Sequence, residues 1–125
     1  MKPLAAGLFA LLAFSARAAA PPSPLPPPPA RLIVPMNGAV VAPDPLSRPF
    51  SWSAVPGAAR YRLEISADRD FAVVVDDRLA AGTDGVGSEL PPGTFFWRVS
   101  SLTAEGLEGP PCGPRLLVVS PEIGP

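Results

Sequence analysis

The stretch FSWSAVPGAARYRLEIS, residues 50–66, decides the fold. Its first segment alternates: Phe50 and Trp52 point one way, Ser51 and Ser53 the other. Its second segment alternates again, with Tyr61, Leu63 and Ile65 on one face and Arg60, Arg62 and Glu64 on the opposite one. A two-residue period with large apolar groups on one side marks a strand that covers a core and shows its other face to water. Between the segments, Val55-Pro56-Gly57-Ala58 supplies the turn, because proline presets φ and glycine takes a positive φ without steric cost.

The pattern recurs outward in both directions. TFFWRVSS, residues 94–101, places Phe95, Trp97 and Val99 on one face and Phe96, Arg98 and Ser100 on the other. Arg31 to Val34 is apolar, ends at Pro35 and turns at Asn37-Gly38, which reads as a first edge strand where proline is tolerated. Val73 to Arg78 is a β-branched run ending in charge, Gly82 to Gly87 is a glycine-rich loop, and Leu116 to Val119 is the last strand. No stretch keeps a helical period over ten residues, and no internal repeat is visible. About seven short strands with frequent turn signals predict an all-β, seven-stranded antiparallel β-sandwich of the immunoglobulin-like kind. Trp52 and Trp97 are expected to dominate its core.

Upstream, the chain has the three-part layout of a secretory signal. Met1-Lys2 is a basic start, Leu4 to Phe14 an apolar run of eleven, and Ser15 to Ala20 small and cleavable. The run is too short to span a bilayer as a helix. Cleavage after Ala18 is favoured over Ala20, because Pro21 would occupy the extended site the peptidase grips. No cysteine follows the run to take a lipid anchor. Pro21 to Pro29 carries seven prolines in nine residues and is expected as polyproline II. At about 3.1 Å per residue it spans roughly 28 Å, and a stiff spacer is the favoured reading over a ligand for an aromatic groove. The expected organisation is a signal peptide over 1–18, a Pro-rich linker over 19–30, a β-sandwich over 31–120 and a tail over 121–125.

Composition narrows function by exclusion. The 125-residue chain holds one domain and has a net charge of −1. Removing Lys2 and Arg17 leaves eight basic residues, all arginine, against eleven acidic ones, a balance of −3. That is no footprint for nucleic acid. The absence of histidine removes the commonest general base and metal ligand together. A single cysteine, Cys112, rules out an intramolecular disulfide and any multi-cysteine metal site.

Taken together, residues 50–71 and LPPGTFFWRVSSLTAEGLEGP, residues 90–110, resemble a fibronectin type III domain. More closely, the chain is similar to the domains appended to bacterial FecR-type envelope proteins. The shared marks are the Trp52 strand, Gly57-Ala58-x-x-Tyr61, Asp68-x-x-Phe71, Leu90-Pro-x-Gly93, Trp97-Arg98-Val99 and Gly106-x-x-Gly109-Pro110. The resemblance implies a seven-stranded sandwich over Arg31 to about Ser120. Two features depart from it. The corner after Gly93 usually carries a tyrosine hydroxyl, and Phe95 and Phe96 have none. No FecR domain precedes the sandwich.

Candidate sites follow from the alternation. Phe96, Arg98, Arg62 and Glu64 are expected on the outward face of neighbouring strands, as a polar strip with one aromatic that would serve either as an interaction surface or as a cross-strand ion pair. Cys112 is either a thiol buried at the start of the last strand or the donor of an intermolecular disulfide. Asp68, Asp70, Asp76 and Asp77 match no calcium loop. Asp68 is expected to close a turn, Phe71 to plug one end of the sandwich, and the other aspartates to be solvated. Glu64, Glu89, Glu105 and Glu108 have no spacing that groups them as catalytic carboxylates. The expectation is therefore a periplasmic or secreted, non-catalytic module without metal or cofactor. Its partner would be an envelope protein or a cell-wall glycan, and a remnant of a larger envelope protein is a third reading.

Overall fold

The computed structural model describes residues 25–122, so the signal peptide, residues 19–24 of the Pro-rich linker and residues 123–125 of the tail lie outside the described part. Among the described residues eight strands form: β1 (Leu32–Val34), β2 (Ala39–Val41), β3 (Phe50–Trp52), β4 (Arg60–Ser66), β5 (Val74–Ala80), β6 (Asp84–Gly85), β7 (Gly93–Leu102) and β8 (Arg115–Val119). One turn of 3-10 helix, Pro45–Ser47, opens on the Asp44 side chain, which accepts the Leu46 N–H. A three-stranded sheet runs β1-β3-β6 and a five-stranded sheet runs β2-β8-β7-β4-β5.

The strand count corrects the expected seven, and the sheets are not wholly antiparallel. β2 pairs parallel with β8, from Ala39 opposite Leu117 to Val41 opposite Val119. Its three residues are all apolar, so no alternation marks it. The pairing is set by the turn before it: Ala39 N–H reaches Met36 C=O, and the Asn37 side chain accepts the Leu116 N–H at 2.8 Å. β6 falls inside the stretch expected as a glycine loop. Asp and Gly are poor strand formers, yet Asp84 pairs with Ser51 and Gly85 with Phe50 on the free side of β3.

The two sheets share one apolar core. Phe50 and Trp52 come from β3, Tyr61, Leu63 and Ile65 from β4, Phe95, Trp97 and Val99 from β7, and Leu117 and Val119 from β8. Phe50 meets Trp97 edge-on at 4.8 Å between centroids, and Trp52 meets Tyr61 at 5.8 Å. Burying each large apolar side chain stabilises the fold by about 1.5–3 kcal/mol. The inward residues are those the alternation assigns.

Two connections are held by polar groups. Arg115 donates to the carbonyls of Leu32, Ile33 and Pro35 at 2.8–2.9 Å, fastening the stretch where the chain leaves one sheet for the other. At the turn after β3, Gly57 has φ +84° and Ala58 N–H reaches Val55 C=O. The Tyr61 hydroxyl accepts the buried Val55 N–H at 3.0 Å. A tyrosine-to-backbone bond thus exists, at the opposite end from the corner where Phe95 and Phe96 stand.

Residues 25–30, the end of the Pro-rich stretch, lie along the domain rather than extending it. Pro27 and Ala30 are buried. Gly109 is the seat for Pro27, since a Cβ at Gly109 would fall 2.0 Å from the Pro27 carbonyl oxygen. These six residues add nothing to the reach of an arm.

Tyr61→Phe keeps the ring and strands the Val55 N–H. We expect a loss of about 1–3 kcal/mol by urea denaturation, with the fold retained.

Candidate functional site

The outer face of the five-stranded sheet collects the polar side chains that alternation turns away from the core. Glu64 stands opposite Arg98 on one side and Asp77 on the other, and Arg62 stands opposite Ser100 and Leu79. Phe96, Arg98, Arg62 and Glu64 are therefore brought together on one face, as their spacing implies. Arg98 Nε donates to Glu64 Oε1 at 2.8 Å. Arg62 donates to Asp77 at 2.7 Å and to Glu108 at 3.2 Å, and Ser100 Oγ donates to Glu108. The bond to Asp77 holds the Arg62 guanidinium even more firmly in its charged form. These pairs are part-exposed, so each contributes under about 1 kcal/mol. Their chemical effect is that no charge in the strip is left unpaired.

The loop over residues 67–73 folds back across this face. Asp68 organises it: its carboxylate accepts the N–H groups of Ala72 and Val73 and the Ser66 hydroxyl. The Val73 bond, then that of Ser66, pulls the Asp68 carboxyl below its ordinary range. The loop then lays Arg69 over the Phe96 ring, 4.9 Å from its centroid. Phe71 takes a positive φ of 58° and is buried, but it is outside the core cluster. Its ring packs under the Arg98 guanidinium at 3.9 Å. Phe71 thus covers the outer face instead of plugging the end of the sheets. Phe96 is only half exposed beneath Arg69, not a bare anchor.

Two charged residues have roles that periodicity could not assign. Arg48, 2% exposed, donates to the carbonyls of Ala42, Pro43 and Ser88. Burial lowers its pKa against the opposing influence of Asp44, Asp76 and Glu89. Asp76, expected in solvent, has a side chain only 8% exposed. It accepts the Ser88 N–H at 2.7 Å and Arg78 Nε at 3.0 Å. The two residues grip Ser88 from its C=O and its N–H, and so tie β5 and the β2–β3 connection to the crossing from β6 to β7. A short polar segment around Arg48 has no pattern from which this could be read. With Asp68 and Asp76 so engaged, the four aspartates do not converge. Among the described residues no group of three or more Asp, Glu or Cys is placed to hold a metal.

Cys112 is half-buried against the core. Its sulfur accepts the Val99 N–H at 3.4 Å while its own N–H reaches the Val99 C=O. Burial pushes the thiol pKa up, outweighing the Val99 bond, which makes it a poor nucleophile.

A groove of about 380 Å³ lies between β5 and β6, lined by Leu63, Arg78, Leu79, Gly85 and Val86 among others. β5 pairs only with β4 and leaves its other edge free. Val74, Val75 and Leu79 on it are exposed, as is Val73 just before it.

Two outcomes test these assignments. Burial disfavours the Asp76 charge, but the Arg78 and Ser88 bonds outweigh it and hold the carboxyl below its ordinary range. The stability this gives is present above the unfolded-state value near ~3.9 and is lost as pH falls through the lowered folded value. Asp76→Asn should therefore flatten the acid limb of a stability-versus-pH curve. For Cys112, thiol labelling of the native chain should be slower than of the urea-unfolded chain by at least about tenfold.

No family model matches the chain, and no curated protein matches it. Among solved structures, the crystal structure of an Fn3-like protein from Clostridium thermocellum is similar, with a TM-score of 0.53 and 17% identity, covering 78% of this chain and 94% of that one. At that identity the likeness concerns the fold alone, and the fold is fibronectin-type-III-like.

Proposed function

We propose that the chain is an exported, non-catalytic module for protein interaction or spacing in the bacterial envelope. Export rests on the basic start, apolar run and small-residue site of residues 1–20. The link to FecR-type envelope proteins rests on the shared marks from Trp52 to Pro110. The observation that carries the interaction role is the contrast between the two polar surfaces. The charged strip is internally neutralised and covered by its own loop, whereas the β5 edge carries unpaired backbone groups and exposed valines. Unpaired strand edges recognise other extended chains.

A glycan platform needs exposed aromatic faces. Trp52 and Trp97 are buried and Phe96 lies under Arg69, which places the glycan reading second.

The exported protein should begin at Ala19 when its N-terminus is sequenced. In co-sedimentation it should pellet with envelope protein fractions and not with bare cell walls, and Phe96→Ala should leave this unchanged. Pelleting with bare walls that disappears in Phe96→Ala would replace the interaction role with glycan binding.

A further inference from the structure

We infer that the free edge of β5 pairs with β5 of a second copy of this chain, joining two five-stranded sheets into one of ten strands. This names a partner for the interaction module proposed above and rests on that reading.

The edges differ in how they are guarded. β1, β2 and β6 are the other edge strands and hold two or three residues each. Pro35 and Pro43 follow the first two. Short strands and prolines are the usual protection against edge pairing. β5 has seven residues, and beyond a bulge at its first two it runs in regular register from Asp76 to Ala80, longer than any of these edges. In a chain with twenty prolines, none stands between Pro56 and Pro91.

The order of residues along β5 is self-complementary. An antiparallel pairing centred on Asp77 sets Val75 opposite Leu79 and Asp76 opposite Arg78, each pair occurring twice across a two-fold axis. The cross-strand register with β4 places Asp76, Arg78 and Ala80 beside Ile65, Leu63 and Tyr61, on the inner face. Asp77 and Leu79 lie beside Glu64 and Arg62, on the outer face. A register shift between Ile65 and Ser66 brings Val74 beside Ser66 on the outer face, so the proposed pairing keeps inner residues opposite inner ones and outer opposite outer over Val75 to Leu79, as a two-fold axis normal to the sheet requires.

Charge is the main objection, and the geometry answers it. Inward-pointing charges often guard an edge. Here Asp76 and Arg78 neutralise each other at 3.0 Å within the strand, so pairing sets each beside an opposite charge of the second copy. Like charges directly opposite are unfavourable. The two Asp77 carboxylates at the centre are each already held by their own Arg62 at 2.7 Å. The apolar pair Val75 and Leu79 is 44% and 48% exposed in the single copy, so both side chains gain cover on pairing.

The test is sedimentation velocity over a concentration series, on the purified chain in the form that cells accumulate. The variants are V75E, L79K and the double V75E/L79K, with circular-dichroism melts to confirm that these exposed sites leave the fold intact. The parent should dimerise reversibly. Each single substitution should weaken the dimer about tenfold, by removing two cross-strand apolar pairs. The double variant should recover to within about threefold of the parent, because the new carboxylate of one copy then faces the new ammonium of the other. A parent that stays monomeric overturns the inference, as do singles that dimerise like the parent or a double variant that fails to recover. A monomer that still pellets with envelope proteins would remove self-pairing and leave the interaction role standing.

Discussion

The molecule depends on the contact between two strands that do not hydrogen-bond to each other. Trp97 in the middle of β7 and Phe50 at the start of β3 meet edge to face across the gap between the sheets. Trp52 and Tyr61 repeat the contact one layer along. Each sheet alone would present an apolar face to water. Facing them at these rings removes both faces at once, and the cost of ordering a small chain is offset largely by that burial. The alternation of residues 50–66 and 94–101 is the condition for it, because a one-residue slip in either stretch would turn the rings outward.

Arginine does the rest of the fastening. Arg48 and Arg115 each donate to three backbone carbonyls in stretches where the chain passes between sheets. Such stretches have no ladder partner for their carbonyls, and a planar fork of donors satisfies several from one side chain. Arg62, Arg78 and Arg98 pair with carboxylates, and Arg69 and Arg98 also cover phenyl rings. Lysine, a point donor on a flexible stem, would not replace Arg48 or Arg115. The all-arginine composition downstream of residue 30 thus has a structural use.

This division of labour bears on function. Side chains that alternation presents as an interaction strip are consumed in holding the domain's own outer face, with loop 67–73 as the cover. What remains open is backbone: the edge of β5, beside a groove between the sheets. An interaction made through such an edge depends on strand register more than on any single side chain.

Periodicity by itself determined the all-β class, the inward residues from Phe50 to Val99, the turn at Gly57 and the outward set Arg62, Glu64, Phe96 and Arg98. Each is a local consequence of strands that alternate and turns that need particular φ angles. The same local signals left β2 and β6 unseen, since Ala39–Val41 is apolar throughout and shows no alternation, and Asp84–Gly85 is too short for a period. Tertiary structure alone decided that Phe96 is capped by Arg69, that Phe71 serves the outer face, that Asp76 and Arg48 clasp Ser88, and that Pro27 rests on Gly109. All four join residues distant in the chain or loops without regular geometry, so the contact is set by how the two sheets meet and is not written in any one segment.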